Sequence, residues 1–370
     1  HLGTRPAAHK KGDVVRHLVR SYGYHMVDLD TSLLDEVAAN FARVANACEI
    51  DMVYFDGSER LQGDHWYYNA RLHKAFYDKL VNKSTLLQAS SFSHYSWHMM
   101  ARSASADGHG DLKGYLDQRS GGFTSLARNW MPLDIGWYYG YDATATPDMY
   151  EYVLAATLAY DSSMSFQVSC KAAAAHPFTS QILDLIGRYE RLRLSGKVPE
   201  FVKTALRIHP ELTGIKPGDP TSELIEKRRE YKLVERDGKI FFQRVQYEPW
   251  HDFGPGQTNG SWTLRLKSGP ARVGIQLHAK KGTITDPWIE VGGKRHVWEG
   301  TLSSGQFLFC SPGQSIQRFA PNLEIPESFG PGPDQTLSPG EYAIRFGCES
   351  AVSPDVRARI TLELPEKLEW

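Results

Sequence analysis

The sequence has no cysteine pair at metal-ligand spacing, no H-E-x-x-H or H-x-H pattern, no surplus of basic charge and no long apolar run. Each absence removes a class of function. The four cysteines (Cys48, Cys170, Cys310 and Cys348) stand far apart, so zinc and C-x-x-C redox motifs are excluded. They read as free thiols, although Cys310 and Cys348 both fall in expected strands and are a candidate pair. The 14 histidines are scattered, so neither a metal nor any other cofactor is expected. Lys and Arg total 42 against 43 Asp and Glu, a net charge of −1, which argues against nucleic-acid binding through a basic field. No stretch approaches the ~18 apolar residues of a membrane span. No Gly-rich phosphate fingerprint follows any expected strand, which removes dinucleotide binding. Internal repeats and low-complexity tracts are also missing.

What is present centres on Ile50–Phe55, a short apolar run that stops at Asp56-Gly57. Apolar residues at helical spacing precede it (Leu34, Val37, Ala38, Phe41, Val44, Ala45), and a second helix is expected over Asn69–Leu80. Helix, buried strand, helix is a βα pattern. Further strands are expected at Tyr24–Asp28, Ser84–Phe92, Met131–Tyr138 and Asp161–Val168, with 98–106 as a candidate sixth. Ser103–Asp111 is rich in small residues and reads as a loop over a site. Helices are expected over Leu112–Leu126, Pro147–Tyr160 and Thr179–Leu194. Pro147 suits a first helical position, where its missing N–H costs nothing.

The pattern changes after about Leu206. Pro210, Pro217 and Pro220 break up a linker over 207–228. From 229 to 370 short period-two strands alternate with Gly-, Pro- and Ser-rich turns, which predicts a sandwich of roughly eight strands. Residues 1–206 hold about five βα strands, whereas a closed barrel needs eight. The expected fold is therefore α/β: the C-terminal half of a (β/α)8 TIM-type barrel followed by an antiparallel β-sandwich. Half a barrel would expose an edge strand and an apolar face. An N-terminal fragment or a partner chain completing the barrel is accordingly expected. The compartment is left open, with a secreted or periplasmic setting favoured.

The order of these motifs resembles retaining glycoside hydrolases of the α-galactosidase-like clan. In that clan the fourth barrel strand ends in the nucleophilic aspartate, and Asp51-Met52-Val53-Tyr54-Phe55-Asp56 matches it. The next strand ends in small residues, matched by Ala89-Ser90-Ser91. A later Ser-x-Asp motif carries the acid/base, matched by Ser105-Ala106-Asp107. Two positions depart from the pattern: Tyr54 stands where the family has Lys, and Ala89 where its members often have Cys. The resemblance thus implies retaining hydrolysis of an oligosaccharide or polysaccharide without implying galactose specificity.

Retaining hydrolysis needs two carboxyl groups ~5–5.5 Å apart, one attacking the anomeric carbon and one protonating the leaving oxygen. Asp56 is the expected nucleophile and Asp107 the expected acid/base, its pKa raised by apolar surroundings. Expected substrate-binding residues are Glu59, Trp66, Trp97, His98, Arg102, Asp134, Trp137 and Tyr138. Each has an ordinary alternative. Glu59 competes for the second catalytic role or pairs with Arg60. Asp111 competes with Asp107 but is more economically a helix cap. Arg102 reads equally as a surface residue. Asp134, read as ending a strand in Leu133-Asp134-Ile135, reads equally as a buried structural acid, and the aromatic residues read as core. Two other functions fit the same residues. One is an inverting hydrolase using Glu59 or Asp111 with Asp56 across ~6.5–9.5 Å. The other is a non-catalytic carbohydrate-binding protein.

Overall fold

The computed structural model describes residues 20–21, 24–25, 29–56, 65–90, 95–104, 107–109, 112–119, 133–139, 141, 145–207, 228–267, 269–321 and 326–370. Residues 208–227 of the expected linker, Glu59 and Asp111 lie outside them. The chain divides into two compact units. One comprises residues 1–104 with 130–132, and the other residues 105–129 with 133–370.

In the first unit a short hairpin, β1 (Arg20–Ser21) and β2 (Tyr24–His25), precedes α1 (Leu33–Ala47). Then follow β3 (Met52–Phe55), α2 (His65–Lys79), β4 (Leu86–Ala89) and β5 (Arg102–Ala104). Strands β3 and β4 pair in parallel from Met52↔Leu86 to Phe55↔Ala89, and β4 pairs in parallel with β5. This is the βα architecture read from Ile50–Phe55. The core is built from Ala38, Ala42 and Ala45 of α1, Phe76 and Leu80 beside α2, and Leu87, Ala89 and Met100. Alanines at i, i+4 and i+7 let α1 lie close on its neighbours. The larger apolar residues of α1 face the other way: Leu33, Phe41 and Val44 are exposed, as is Met52 on β3. Among the described residues β3 has one strand neighbour, β4.

The second unit opens with β6 (Asp107–His109), α3 (Leu112–Arg119), β7 (Leu133–Tyr139), α4 (Pro147–Tyr160) and β8 (Ser163–Phe166). Strands β6, β7 and β8 run parallel. Helices α5 (Cys170–Ala175), α6 (Thr179–Leu194) and α7 (Glu200–Leu206) follow. Pro147 begins α4 as expected, and twelve of the helix's residues are buried, so it is a central rod rather than a surface helix.

The antiparallel part contains fourteen strands among the described residues, against the roughly eight expected. They are β9 (Glu230–Arg236), β10 (Lys239–Tyr247), β11 (His251–Phe253), β12 (Asn259–Leu266), β13 (Ala271–Thr285), β14 (Trp288–Val291) and β15 (Lys294–Val297), then β16 (Thr301–Ser303), β17 (Phe307–Cys310), β18 (Ser315–Phe319), β19 (Glu327–Pro331), β20 (Thr336–Leu337), β21 (Gly340–Gly347) and β22 (Ser350–Glu369). They form a ten-stranded and a four-stranded sheet. Inward residues of both sheets share one core: Val273, Ile275, Leu277, Ile360 and Leu362 from the large sheet meet Leu264, Ile289, Ile344 and Phe346 from the small one. Burying each such side chain contributes roughly 1.5–3 kcal/mol.

The long pair β13–β22 carries two register shifts around Lys281. Gly282 sits there at φ +69°, and a Cβ would come within 2.3 Å of the Val352 and Ser353 carbonyl oxygens. Only glycine fits that bulge. All four cysteines are free, so Cys310 and Cys348 do not pair.

Candidate active site

The parallel strands of the first unit bring three C-terminal ends to one edge. Asp56 follows β3 directly and its side chain is exposed. Ser90 follows β4, and its N–H donates to the Phe55 carbonyl at 2.9 Å. The Ser90 hydroxyl is buried and has no hydrogen-bond partner among the described residues. A parallel sheet presents its chemistry at this edge because the helices return the chain to the opposite one. Behind Asp56 the strand is anchored by stacking. Phe55 lies 4.5 Å from the His73 ring and 5.3 Å from Phe76. Burial drives His73 down to about 4, so its imidazole is neutral at ordinary pH and serves as packing. Neither of its ring nitrogens has a hydrogen-bond partner among the described residues.

Exposed aromatics gather on the segments that follow these strand ends. Trp66 and Tyr67 open α2, while Tyr95 and Trp97 lie in the β4–β5 connection. All four are between 44% and 55% exposed. The Tyr67 and Tyr95 rings meet edge-on at 5.8 Å, which ties the two segments together. His98 is exposed too, 5.9 Å from Trp97. Next to Tyr67, the Tyr68 hydroxyl donates to Asp30 (2.9 Å), and Arg71 donates to the same carboxylate (2.8 Å). The bond to Asp30 raises the Tyr68 pKa. Asp30, like Asp28, is expected from its place after a strand to line the rim of the site; Tyr67, Tyr68 and Tyr95 were not among the expected binding residues. Helical spacing of 67, 68 and 71 was the available signal.

Asp107, Asp134, Trp137 and Tyr138 belong to the second unit. Asp107 begins β6 and pairs in register with Trp137, so it sits in a strand rather than in the loop expected over 103–111. Asp134 is the second residue of β7 and pairs with Ser163, the first residue of β8. It therefore lies at the N-terminal end of β7, which corrects the reading of a strand-ending acid. Trp137 and Tyr138 lie toward the other end of that strand. Arg102 begins β5 in the first unit. The side chains of Arg102, Asp107, Asp134, Trp137 and Tyr138 fall outside what the structure describes.

The second unit also contains a buried charge network that the sequence did not announce. Lys113 on α3 pairs with Asp148 (2.7 Å) and Glu230 (2.5 Å), and Asp148 pairs with Arg359 (2.5 Å). Asp117 pairs with Arg228 (2.6 Å) and accepts from Tyr152. Burial alone would raise the Asp148 carboxyl, but Arg359 and Lys113 hold it well below the carboxylate range. Nearby, burial raises Glu151 to about 7 despite the Leu233 N–H it accepts. Lys113, Asp117, Asp148, Arg228, Glu230 and Arg359 are buried and Glu151 is half-buried, which suits a structural role.

No family model matches the chain, and no curated protein does. Solved structures give weak likenesses. A cycloalternan-forming enzyme from Listeria monocytogenes, in complex with a pentasaccharide substrate, is 8% identical at TM-score 0.35, over 94% of this chain and 54% of that one. An Arthrobacter globiformis isomalto-dextranase complexed with panose is 8% identical at TM-score 0.28, over 91% and 74%. α-Galactosidase I from Mortierella vinacea is 9% identical at 0.30, over 89% and 75%. The chain spans about half the length of the first of these. At such scores the likeness carries no inference about fold or activity.

Proposed function

We propose that this chain is a glycoside hydrolase acting on an oligosaccharide or polysaccharide with retention of configuration. Asp56 is the nucleophile and Asp107 the general acid/base. The observation that carries the reading is the position of Asp56: an exposed carboxylate at the C-terminal end of a parallel strand whose last residue, Phe55, packs against the neutral His73 ring. A nucleophile must be reachable by the anomeric carbon while its backbone is fixed, and β3 with its stacked Phe55 supplies that rigidity. Trp66, Trp97 and His98 offer faces and hydrogen-bonding edges to sugar rings, as aromatics do at binding sites that leave one side wet. Glu59, Arg102, Trp137 and Tyr138 complete the proposed substrate contacts. Asp134 stays a weaker member of that set because of its place at the start of β7.

A further β/α element, from an N-terminal fragment or a partner chain, would cover Leu33, Phe41 and Val44. The exposure of these apolar side chains supports this part of the reading.

The test is turnover of aryl glycosides with product anomers followed by NMR. Wild type gives the retained anomer first. Asp56→Asn folds with an unchanged melting temperature and loses activity by roughly four orders of magnitude. An inverted first product, or undiminished hydrolysis by Asp56→Asn, overturns the assignment.

A further inference from the structure

The antiparallel sandwich holds a cavity that plays no part in the reading above. Its volume is about 400 Å³, inside the ~300–1,000 Å³ common for small-molecule sites. Trp298 and Leu302 form a buried base, 5% and 1% exposed. Trp298 is held in the same buried core as Cys310, Leu308 and Leu302. Val297 and Phe329 also line it, and both are unusually open for apolar residues, at 52% and 41%. Polar groups share the same lining: Arg318, Glu299 and Thr301. The Arg318 guanidinium lies 5.4 Å from the Phe329 ring centre. It pairs with Glu327 and donates to the Thr301 carbonyl at 3.2 Å.

The chemistry narrows the occupant. Arg318 is already neutralised by Glu327, and Glu299 adds a negative charge, so the cavity does not suit a phosphate or another anion. A purely apolar ligand would strand the guanidinium and the carboxylate without water. A neutral ring with carbon-bound hydrogens on its faces and hydroxyls around its rim meets both requirements. The faces lie on Phe329, Val297 and Trp298, and the hydroxyls reach Glu299, Thr301 and Arg318. We propose that this cavity is a second saccharide site, taking one pyranose unit of a neutral oligosaccharide. The choice of ligand class rests on the glycoside hydrolase reading; the existence of the site does not.

Binding of non-hydrolysable thio-linked trisaccharides of glucose, galactose and xylose to the full chain tests it. The readouts are calorimetry and ligand-observed saturation-transfer NMR. Wild type and Asp56→Asn bind at least one trisaccharide at a common secondary site. Phe329→Ala weakens that site about tenfold, the ~1.4 kcal/mol of one lost ring contact. Thr301→Trp, which fills the mouth from an exposed strand position, removes it. Both variants keep wild-type turnover of aryl glycosides. Failure of every trisaccharide to bind, binding that both variants leave intact, or binding that Asp56→Asn alone abolishes each overturns the proposal. Cavity binding sensitive to Phe329→Ala in a protein that cleaves no glycoside overturns the hydrolase reading and leaves this one standing.

Discussion

The two compact units treat their large aromatic side chains in opposite ways. In the first, Trp66, Tyr67, Tyr95 and Trp97 stand nearly half open to solvent. In the sandwich of the second, Trp250, Trp262, Trp288 and Trp298 are covered or partly covered, whereas Trp370 is 40% exposed and stacks on Phe242 at 5.8 Å. Trp298 is 5% exposed, and Trp262 stacks on His251 at 4.6 Å. Arg295 lies 3.9 Å above Trp288, and Arg357 and Arg359 lie 4.3 and 4.4 Å from Trp250. A covered indole contributes packing and cation–π energy to the fold. An open one contributes less to stability. The contrast fits the proposed placing of substrate contacts at Trp66 and Trp97 of the first unit, while most sandwich tryptophans serve packing.

Four substitutions would break or sharpen this contrast. The largest effect on stability is expected from Lys113→Met, which strands Glu230 and leaves Asp148 only Arg359. Chemical denaturation should show a loss of about 3–5 kcal/mol. Trp298→Ala should cost a similar ~3–5 kcal/mol by emptying the base of the sandwich core, read in the same experiment. Glu151→Gln comes next. Because its folded pKa of about 7 lies above the ordinary 4.5, Glu151 supports the fold fully below pH 4.5, and that support disappears as pH rises through 7. Relative to wild type, the glutamine variant should therefore gain roughly 3 kcal/mol between pH 5 and pH 8. Equal pH profiles for the two proteins would contradict a buried, protonated Glu151. The smallest effect is expected from Trp97→Ala. The melting temperature should stay within a degree or so, while KM for an oligosaccharide rises by roughly threefold to tenfold, ~0.5–1.5 kcal/mol. A large drop in stability instead would put Trp97 in the same class as Trp298.

The sequence made the regular parts legible where one face or one run was apolar. Ile50–Phe55 ends where the Asp56-Gly57 signal says it should, and the Thr179–Leu194 helix has the bounds its periodicity implies. Strands β5 and β6 were harder. Ser103, Ala104 and Gly108 have low strand propensity, and three-residue strands persist only because Gln88↔Arg102 and Asp107↔Trp137 pair across the sheet. Asp134 was read as a strand end although the apolar and aromatic run continues past it, and β7 spans Leu133–Tyr139. The charge network was invisible for another reason. Lys113 and Glu230 are 117 positions apart and Asp148 and Arg359 are 211 apart, far beyond any local pattern. Of the candidate site, the strand-end carboxylate could be read from the chain. The aromatic surroundings could be named only as residue types, since exposure is decided by which neighbours fold over them.

Strand β22 bonds to β10, β11 and β13 at once, yet it is made after all of them. On a ribosome the earlier strands must therefore wait with open edges until residues 350–369 have emerged. During that interval β10 and β13 are templates for any extended peptide nearby. The sandwich is thus completed late in synthesis, and a stalled or prematurely terminated chain would be unusually prone to aggregate.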